Sequence, residues 1–419
     1  MDFLISHTSK SINADLILPP SKSISNRALI IQSLCQSKLT LFNLSQSSDT
    51  QSLVQALQTT SKNIDIGDAG TSMRFLTAYL SQQEGSYILT GSDRMKERPI
   101  SHLVETLNSI GADINYLEKD GFPPLAINGK NLEGGQVDIS ASVSSQFVSA
   151  LLLIAPTLKN GLSLTLKGEP LSRPYIKMTL DIMRYFGIKS SWTNNTIHVE
   201  PQNYISRDLK VESDWSSLAF ILQAMSIAKS AKVSIAGLSK DSWQGDSYVL
   251  SLFEKFGIQH EFNHNKLYLK KINEDLNGNY DINLKDNPDL AQAYCCTLSE
   301  LSKSSQIKGL KNLKLKESHR LKALHIELKK IGQQSHYNED TIQLETSTLH
   351  IPIESFDSHN DHRMAMCLSP LALLFEIKIK DVEVVNKSYP SYWDDLRKMG
   401  FIISPLTHSN NLSHKLFQK

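Results

Sequence analysis

Five helix ends organise this sequence. The segments LVETLNSIGADINY, TLDIMRYFGIKSSW, LSLFEKFGIQHEF, HIELKKIGQQSHY and YWDDLRKMGFIIS each carry apolar residues at three- and four-residue intervals up to a glycine, then change to the alternation of a strand. Glycine at that place reads as the left-handed residue that ends a helix, because it lacks a Cβ to clash there. The glycines are Gly111, Gly187, Gly257, Gly332 and Gly400, spaced 76, 70, 75 and 68 residues apart. A period of that size points to stacked copies of one supersecondary unit. A sixth copy fits at the front, where LVQALQTTSKNIDI from Leu53 takes the helix's place without the glycine.

The same grammar surrounds each of these helices. An earlier helix opens on a polar cluster, the glycine-capped helix follows, and two or three short strands come next, such as QVDIS, TIHVEP, DLKVE, KLYLK, YDINL and TIQLE. The expectation is therefore an α/β chain of six units, since a single doubly wound sheet would not need such a repeat. At 419 residues and 40% hydrophobic content the chain can bury two or more cores, which excludes disorder as its main state. Its 44 Lys and Arg against 43 Asp and Glu leave a formal charge of +1, and so exclude a general binder of nucleic acid or acidic lipid. The longest apolar run, Val148 to Pro156, is about half of what a membrane helix needs, so no membrane partner is expected. The start, MDFLISHTSKSIN, has no basic segment ahead of an apolar one and does not read as a secretion signal. Four cysteines, with Cys295 and Cys296 adjacent, fit reduced thiols in the cytoplasm; Cys35 and Cys367 read as core packing.

Helix starts are where anions bind, because free N–H groups and the macrodipole point there. This chain loads those starts with cations and hydroxyls. PPSKSISNRAL should begin a helix near Ser21 or Ser23, with Lys22 beside it and Ser23 and Arg27 on one face. In DIGDAGTSMRFL, Gly67 and Gly70 allow close backbone approach, Thr71 can cap, and Arg74 lies one turn in. TGSDRMKERPI gathers Arg94, Lys96 and Arg98 in a loop that, on charge alone, reads as a solvated run. SVSSQF opens a helix with Ser144, Ser145 and Gln146, and SRPYI opens one with Ser172, Pro174 and Tyr175. Further on, DNPDLAQAY places Asp289 in a first turn, KESHRL groups Lys316, Glu317 and Arg320, and NDHRMAM sets His362 and Arg363 behind an Asn360/Asp361 cap. Acids in a first turn only complement the dipole, but Arg74, Lys316, Arg320 and Arg363 oppose it, which suggests anionic ligands. GxGxxG, GxSxG, HExxH and CxxC are absent, and His359 with His362 makes only a weak metal pair, so no metal is expected.

With these segments in order, from PPSKSISNRAL through GDAGTSMR, LTGSDRMKERPI, SVSSQF, SRPYI, NPDLA, KESHRL and NDHRMAM to NKSYPSYW, the chain resembles the 3-phosphoshikimate 1-carboxyvinyltransferases, enolpyruvyl transferases of the shikimate pathway, over essentially its whole length. The resemblance implies two similar domains, each of three βαβαββ-type units in an inside-out α/β barrel, around a cleft that holds the active site. It implies that residues 1–20 belong with 214–419, and that 21–213 form the other domain. It implies that Lys22, Ser23, Arg27, Ser144, Ser145, Gln146, Ser172, Tyr175, Asp289, Asn312 and Lys316 hold shikimate 3-phosphate. Lys22, Gly70, Arg98, Gln146, Arg320, Arg363 and Lys387 would hold phosphoenolpyruvate, with Arg74 supporting the loop behind them.

The expected chemistry is attack of the 5-hydroxyl on C2 of phosphoenolpyruvate with protonation of C3, then loss of phosphate from the tetrahedral adduct. It needs a base, an acid and cations. Lys22, Asp289, Glu317 and His362 are the catalytic candidates, with Asp289 nearer the hydroxyl and Glu317 nearer the methylene carbon; the two roles could be exchanged. No metal or organic cofactor is expected, because cations take magnesium's place, and the default is a cytoplasmic monomer. Two departures stand out: His319, where the family often has Asp, bears on the orientation of Arg320, and Phe75, where some members have Pro, bears on packing behind Gly70. Two alternatives remain. A UDP-N-acetylglucosamine enolpyruvyl transferase would usually carry Lys-Asn at Lys22-Ser23 and a cysteine in the RMKERPI loop, and this chain has none between Cys35 and Cys295. A non-catalytic phosphometabolite-binding protein would not need Lys22, Asp289, Glu317 and His362 together.

Overall fold

A computed structural model describes residues 1–140, 144–272 and 278–406, so residues 142–143 of the SVSSQF segment lie outside the described residues. All five repeat glycines stand at positive φ, from 76° to 102°. At Gly111 the glycine N–H donates to the Asn108 carbonyl and the Ala112 N–H to the Leu107 carbonyl, and the same pair of bonds recurs at Gly187, Gly332 and Gly400. This pair of hydrogen bonds satisfies carbonyls that a helix end would leave bare, and turns the chain into the next strand.

The strands then repeat one topology four times. In each sheet the first two strands in chain order are parallel, and the fourth lies between the second and third, antiparallel to both. The sets are Asn63–Asp65, Gly85–Thr90, Asp113–Tyr116 and Leu125–Gly129; Gly135–Ser140, Leu162–Lys167, Ser190–Thr193 and Thr196–Val199; Ser11–Ile17, Ser230–Ala236, Ile258–Asn263 and Lys266–Lys271; and Ile282–Asn283, Ser305–Lys308, Ser335–Tyr337 and Ile342–Leu344. A parallel pair requires a crossover, and one helix leads into the second strand each time: Gly70–Leu80, Ser145–Ile154, Trp215–Ile227 and Ala291–Glu300, the third after a crossover that also carries the whole other half of the chain. The glycine-capped helix joins the second strand to the third.

The two remaining copies are incomplete. In the last, Asp2–Ser6 lies between Ile377–Ile379 and Ile402–Leu406 as the fourth strand, and the first strand shrinks to a parallel bridge from Phe356 to Ile379. The front copy keeps the helices Lys22–Leu34 and Ser48–Gln58 and one parallel pair, Leu41–Phe42 with Leu209–Lys210. Its closing hairpin is absent among the described residues. With no glycine after Gln58 the chain runs straight into Asn63–Asp65, which opens the next sheet. The strand pieces QVDIS and YDINL likewise open a copy rather than close one. Periodicity marks a strand but not its partner.

Two hydrophobic cores result, one from residues 3–18 and 215–401 and the other from residues 24–211. The chain passes between them twice, where the Ser21 N–H meets the Glu212 carbonyl and the Asp214 N–H meets the Pro19 carbonyl, both at 2.8 Å. Helices lie inside and sheets outside: Ala291–Glu300 and His362–Leu368 are buried along their whole length, whereas strands such as Lys266–Lys271 bury one face. Cys295, Cys296 and Cys367 are buried free thiols and Cys35 is partly exposed. No described helix is long and apolar enough to cross a membrane.

Candidate active site

Because the crossover helices are interior and co-oriented within each half, their N-termini emerge at one cleft. Lys22, Ser23, Gly70, Ser144, Ser145, Gln146 and Ser172 line it from one core, and Asp289, Asn312, Lys316, Glu317, Arg320, His362 and Arg363 from the other, around a cavity of about 360 Å³. Arg27, Arg98 and Tyr175 complete the first wall. The dipoles and cations of both walls make this a site for small anions. Lys387 is the one expected residue that does not line the cavity. Its Nζ sits behind it, donating to Asp49 Oδ1 at 2.9 Å and to the Asp68 carbonyl at 2.7 Å, with Glu317 Oε1 3.9 Å away.

The second wall is a lattice of opposite charges. Arg320, about 1% exposed, donates Nε to Asp361 at 2.7 Å, Nη1 to Asp289 at 3.0 Å and Nη2 to Glu317 at 2.8 Å. Asp289 also accepts from Lys316 at 3.2 Å and from Arg363 at 3.3 Å. Burial alone would raise the Asp289 carboxyl, but Arg363, Lys316 and Arg320 outweigh it and hold the group far below the usual carboxylate range. Glu317 is likewise held well down, as Arg320, Lys387 and Arg98 overcome its burial. The cations that oppose helix dipoles here are thus compensated in part by the protein's own carboxylates, which tempers the expectation that anionic ligands alone explain them. His362 is buried, its Nδ1 has no hydrogen-bond partner, and burial pushes it well below its ordinary value, so it stands neutral. His359 turns to Glu327 Oε1 at 2.7 Å instead of joining His362 in a metal pair.

On the first wall, Ser21 caps the helix that begins at Lys22, and Lys22 Nζ meets Asp49 Oδ2 at 2.9 Å. Arg27 is buried, pushed down to about 10 by desolvation, and spends its donors on Thr179, Ser149 and the Ser23 and Tyr175 carbonyls. Thr71 does not cap: the helix starts one residue earlier, at Gly70, behind Ala69, and Thr71 Oγ1 accepts from Gln146 Nε2 at 3.2 Å. Arg74 donates to the Gly70 and Pro99 carbonyls, bracing the turn that carries Arg98. The RMKERPI segment is not a uniformly solvated run, because Arg98 is 7% exposed and packs against Gly70, while Lys96 turns outward to Glu118 and Glu97 is exposed. His319 caps the next helix by accepting from the Lys322 N–H, so Arg320 takes its orientation from three carboxylates and not from position 319. Phe75 is buried under the Arg27 guanidinium, 5.5 Å from the ring centroid.

Asp49, Asp246 and Arg94 carry weight that sequence reading did not assign. Asp49 binds both Lys22 and Lys387 from a helix start where an acid looks like dipole complement. Asp246 accepts the Tyr175 hydroxyl with both oxygens, at 3.0 and 2.8 Å, and burial with Asp289 nearby pushes it up to about 7.

The family model for EPSP synthase (3-phosphoshikimate 1-carboxyvinyltransferase) matches residues 6–63 and 58–396. The chain belongs to the EPSP synthase family. It is therefore an enzyme, a transferase of aromatic amino-acid biosynthesis. Among EPSP synthases, the 3-phosphoshikimate 1-carboxyvinyltransferase of Bacteroides fragilis is 44% identical over 96% of this chain and 98% of its own. That of Photobacterium damsela subsp. piscicida is 35% identical over 93% and 97%. The solved EPSP synthase from Acinetobacter baumannii superposes with a TM-score of 0.76 at 21% identity, over 97% of this chain and all of the other. The enolpyruvyl transferase NikO from Streptomyces tendae gives 0.75 at 14% identity, over 96% and 98%. These two likenesses bear on the fold, which this EPSP synthase family member shares.

Proposed function

We propose that this chain transfers the enolpyruvyl group of phosphoenolpyruvate to the 5-hydroxyl of shikimate 3-phosphate, releasing phosphate, and that residues 1–20 with 214–419 and residues 21–213 act as its two domains. The observation that carries this reading is the cleft in which anion-binding helix starts from two cores face two ionised carboxylates. Shikimate 3-phosphate would rest on Lys22, Ser23, Arg27, Ser144, Ser145, Gln146, Ser172, Tyr175, Asn312 and Lys316, with its ring hydroxyls toward Asp289. Phosphoenolpyruvate would lie between Lys22, Gly70, Arg98 and Gln146 on one side and Arg320 and Arg363 on the other, with the expected residue Lys387 adding its charge from behind the cavity wall.

In the addition step the hydroxyl proton passes to Asp289, oxygen bonds to C2, and C3 gains a proton from Glu317. Glu317 is ionised while its cations face it alone; an anionic substrate that engages Arg320 and Arg98 competes for them, raises the carboxyl and lets it carry that proton. In the elimination Glu317 takes the proton back from C3 as the bond to the phosphate oxygen breaks, and Lys22 supplies the proton that phosphate needs. Neutral His362, beside Asp361, can hydrogen-bond Glu317 or the leaving group without adding charge. Cationic side chains supply the electrostatics, so the scheme uses no metal or organic cofactor. We place the enzyme in the cytoplasm as a monomer.

A phosphate-release assay with phosphoenolpyruvate, run in parallel with shikimate 3-phosphate and with UDP-N-acetylglucosamine, is expected to give turnover with the first acceptor alone. Release with the second acceptor only, or with neither, overturns the reading. Gly70 supplies a second check. A Cβ there would fall 2.5 and 2.7 Å from the two terminal nitrogens of Arg98, so that the guanidinium has to move. Gly70→Ala is expected to raise KM for phosphoenolpyruvate about tenfold while the Kd for shikimate 3-phosphate stays within about twofold. An unchanged KM for phosphoenolpyruvate would remove Arg98 from its proposed place.

A further inference from the structure

Arg94 stands on a one-turn helix, Asp93–Lys96, in the core formed by residues 24–211, yet its guanidinium reaches into the other half. Nε donates to the Glu317 carbonyl at 3.2 Å and Nη2 to the Lys316 carbonyl at 3.0 Å, while Nη1 pairs with Glu97 at 2.9 Å. Those carbonyls belong to the short irregular stretch between the turn Lys311–Leu315 and the helix that starts at Arg320, where no regular ladder holds them. The stretch carries both Lys316 and Glu317. The little helix itself is anchored without Arg94, by fully buried Met95 and by the Ser92 cap, which accepts from the Met95 N–H.

We propose that Arg94 is a positioning residue: by bridging the cleft to two successive carbonyls it sets the Glu317 carboxylate against the substrate when the two halves are together. This rests on the carboxyvinyl transfer described above. Three features support it. The contact joins the half that carries Gly70 and Arg98 to the half that carries Glu317, so it forms only with the cleft closed. A planar guanidinium can serve two adjacent carbonyls at once, whereas an ammonium offers a point charge. The Arg94 side chain is 39% exposed, so its removal opens no cavity, and the effect falls on geometry more than on folding. A displacement of about 1 Å at a proton-transfer group can cost about 100-fold in rate.

The test uses the full chain as Arg94→Ala and Arg94→Lys. Both are expected to lower kcat by about 10- to 100-fold, with the Kd for shikimate 3-phosphate within about threefold and the melting temperature unchanged. Millimolar guanidinium ion added to Arg94→Ala should restore part of kcat, because it can occupy the space between the same carbonyls, and should do nothing for Arg94→Lys. A wild-type protein without turnover would defeat the functional reading and leave the cause clear. Turnover in the wild type with kcat of either variant within about twofold of it, or a kcat loss in Arg94→Ala that guanidinium fails to rescue, would overturn the positioning role.

Discussion

Glu317→Gln is expected to lower kcat by about 100-fold or more while the protein stays folded. Gln keeps the length and the oxygen that accepts from Arg320 Nη2 at 2.8 Å, so the lattice of the second wall keeps its shape. What it loses is a site that can release and recover a proton at C3. Both steps of the reaction pass through that proton, hence addition and elimination should slow together, and a quench of the enzyme mixed with both substrates should show no build-up of the tetrahedral adduct. KM for phosphoenolpyruvate should fall modestly, since a negative charge facing an anionic substrate has been removed. Steady-state assays at several pH values check this, and kcat within about threefold of the wild type would take Glu317 out of proton transfer.

Arg320→Met carries the largest effect expected on stability. Arg320 is the only described cation that touches Asp361, Asp289 and Glu317 all at once, and it is almost wholly buried. Methionine fills much of the space but leaves carboxylates facing one another, and removing one partner of a buried ion pair costs about 3–5 kcal/mol. The loss should depend on pH. In the intact protein Asp289 and Glu317 are held below their ordinary values, so their contribution is present at neutral pH and fades as pH falls through those folded-state values. Without Arg320, burial is opposed by fewer cations and both groups rise. The deficit should then be greatest near pH 7 and shrink toward about pH 4, because the raised carboxylates of the folded variant take up protons there while the unfolded chain is the same in both proteins. Urea unfolding at the two pH values measures this, and an equal deficit at both would contradict it.

How legible the molecule is from its residues varies with the physics involved. Gly111, Gly187, Gly257, Gly332 and Gly400 announce themselves, because only a positive φ without a Cβ ends a helix and turns it back, and that is a local requirement. Ser21, Ser144 and Asp361 as caps follow from equally local bonds. Strand partners are not local, and so nothing within QVDIS or YDINL says that it opens a copy rather than closes one. The same divide runs through the site. Arg74, Arg320 and Arg363 stand out by opposing a helix dipole. Asp49 does not, since an acid in a first turn needs no explanation until Lys387 arrives from 338 positions away to share it. Arg94 hides in a charged run because the carbonyls it meets leave no trace in side-chain chemistry.

The strand Asp2–Ser6 also governs the order in which the molecule can be completed. It is made before its neighbours, Ile377–Ile379 and Ile402–Leu406, and the next strand, Ser11–Ile17, waits for Ser230–Ala236. Residues 24–211 form their own core, with their own sheets, from contiguous chain. During synthesis that half can therefore assemble as soon as it leaves the ribosome, while Ser11–Ile17 waits for the strand at Ser230–Ala236 and Asp2–Ser6 waits for strands near residues 377 and 402. The apolar positions Phe3 and Ile5 are then exposed to the cell long after Ile12 and Leu16 have found their sheet.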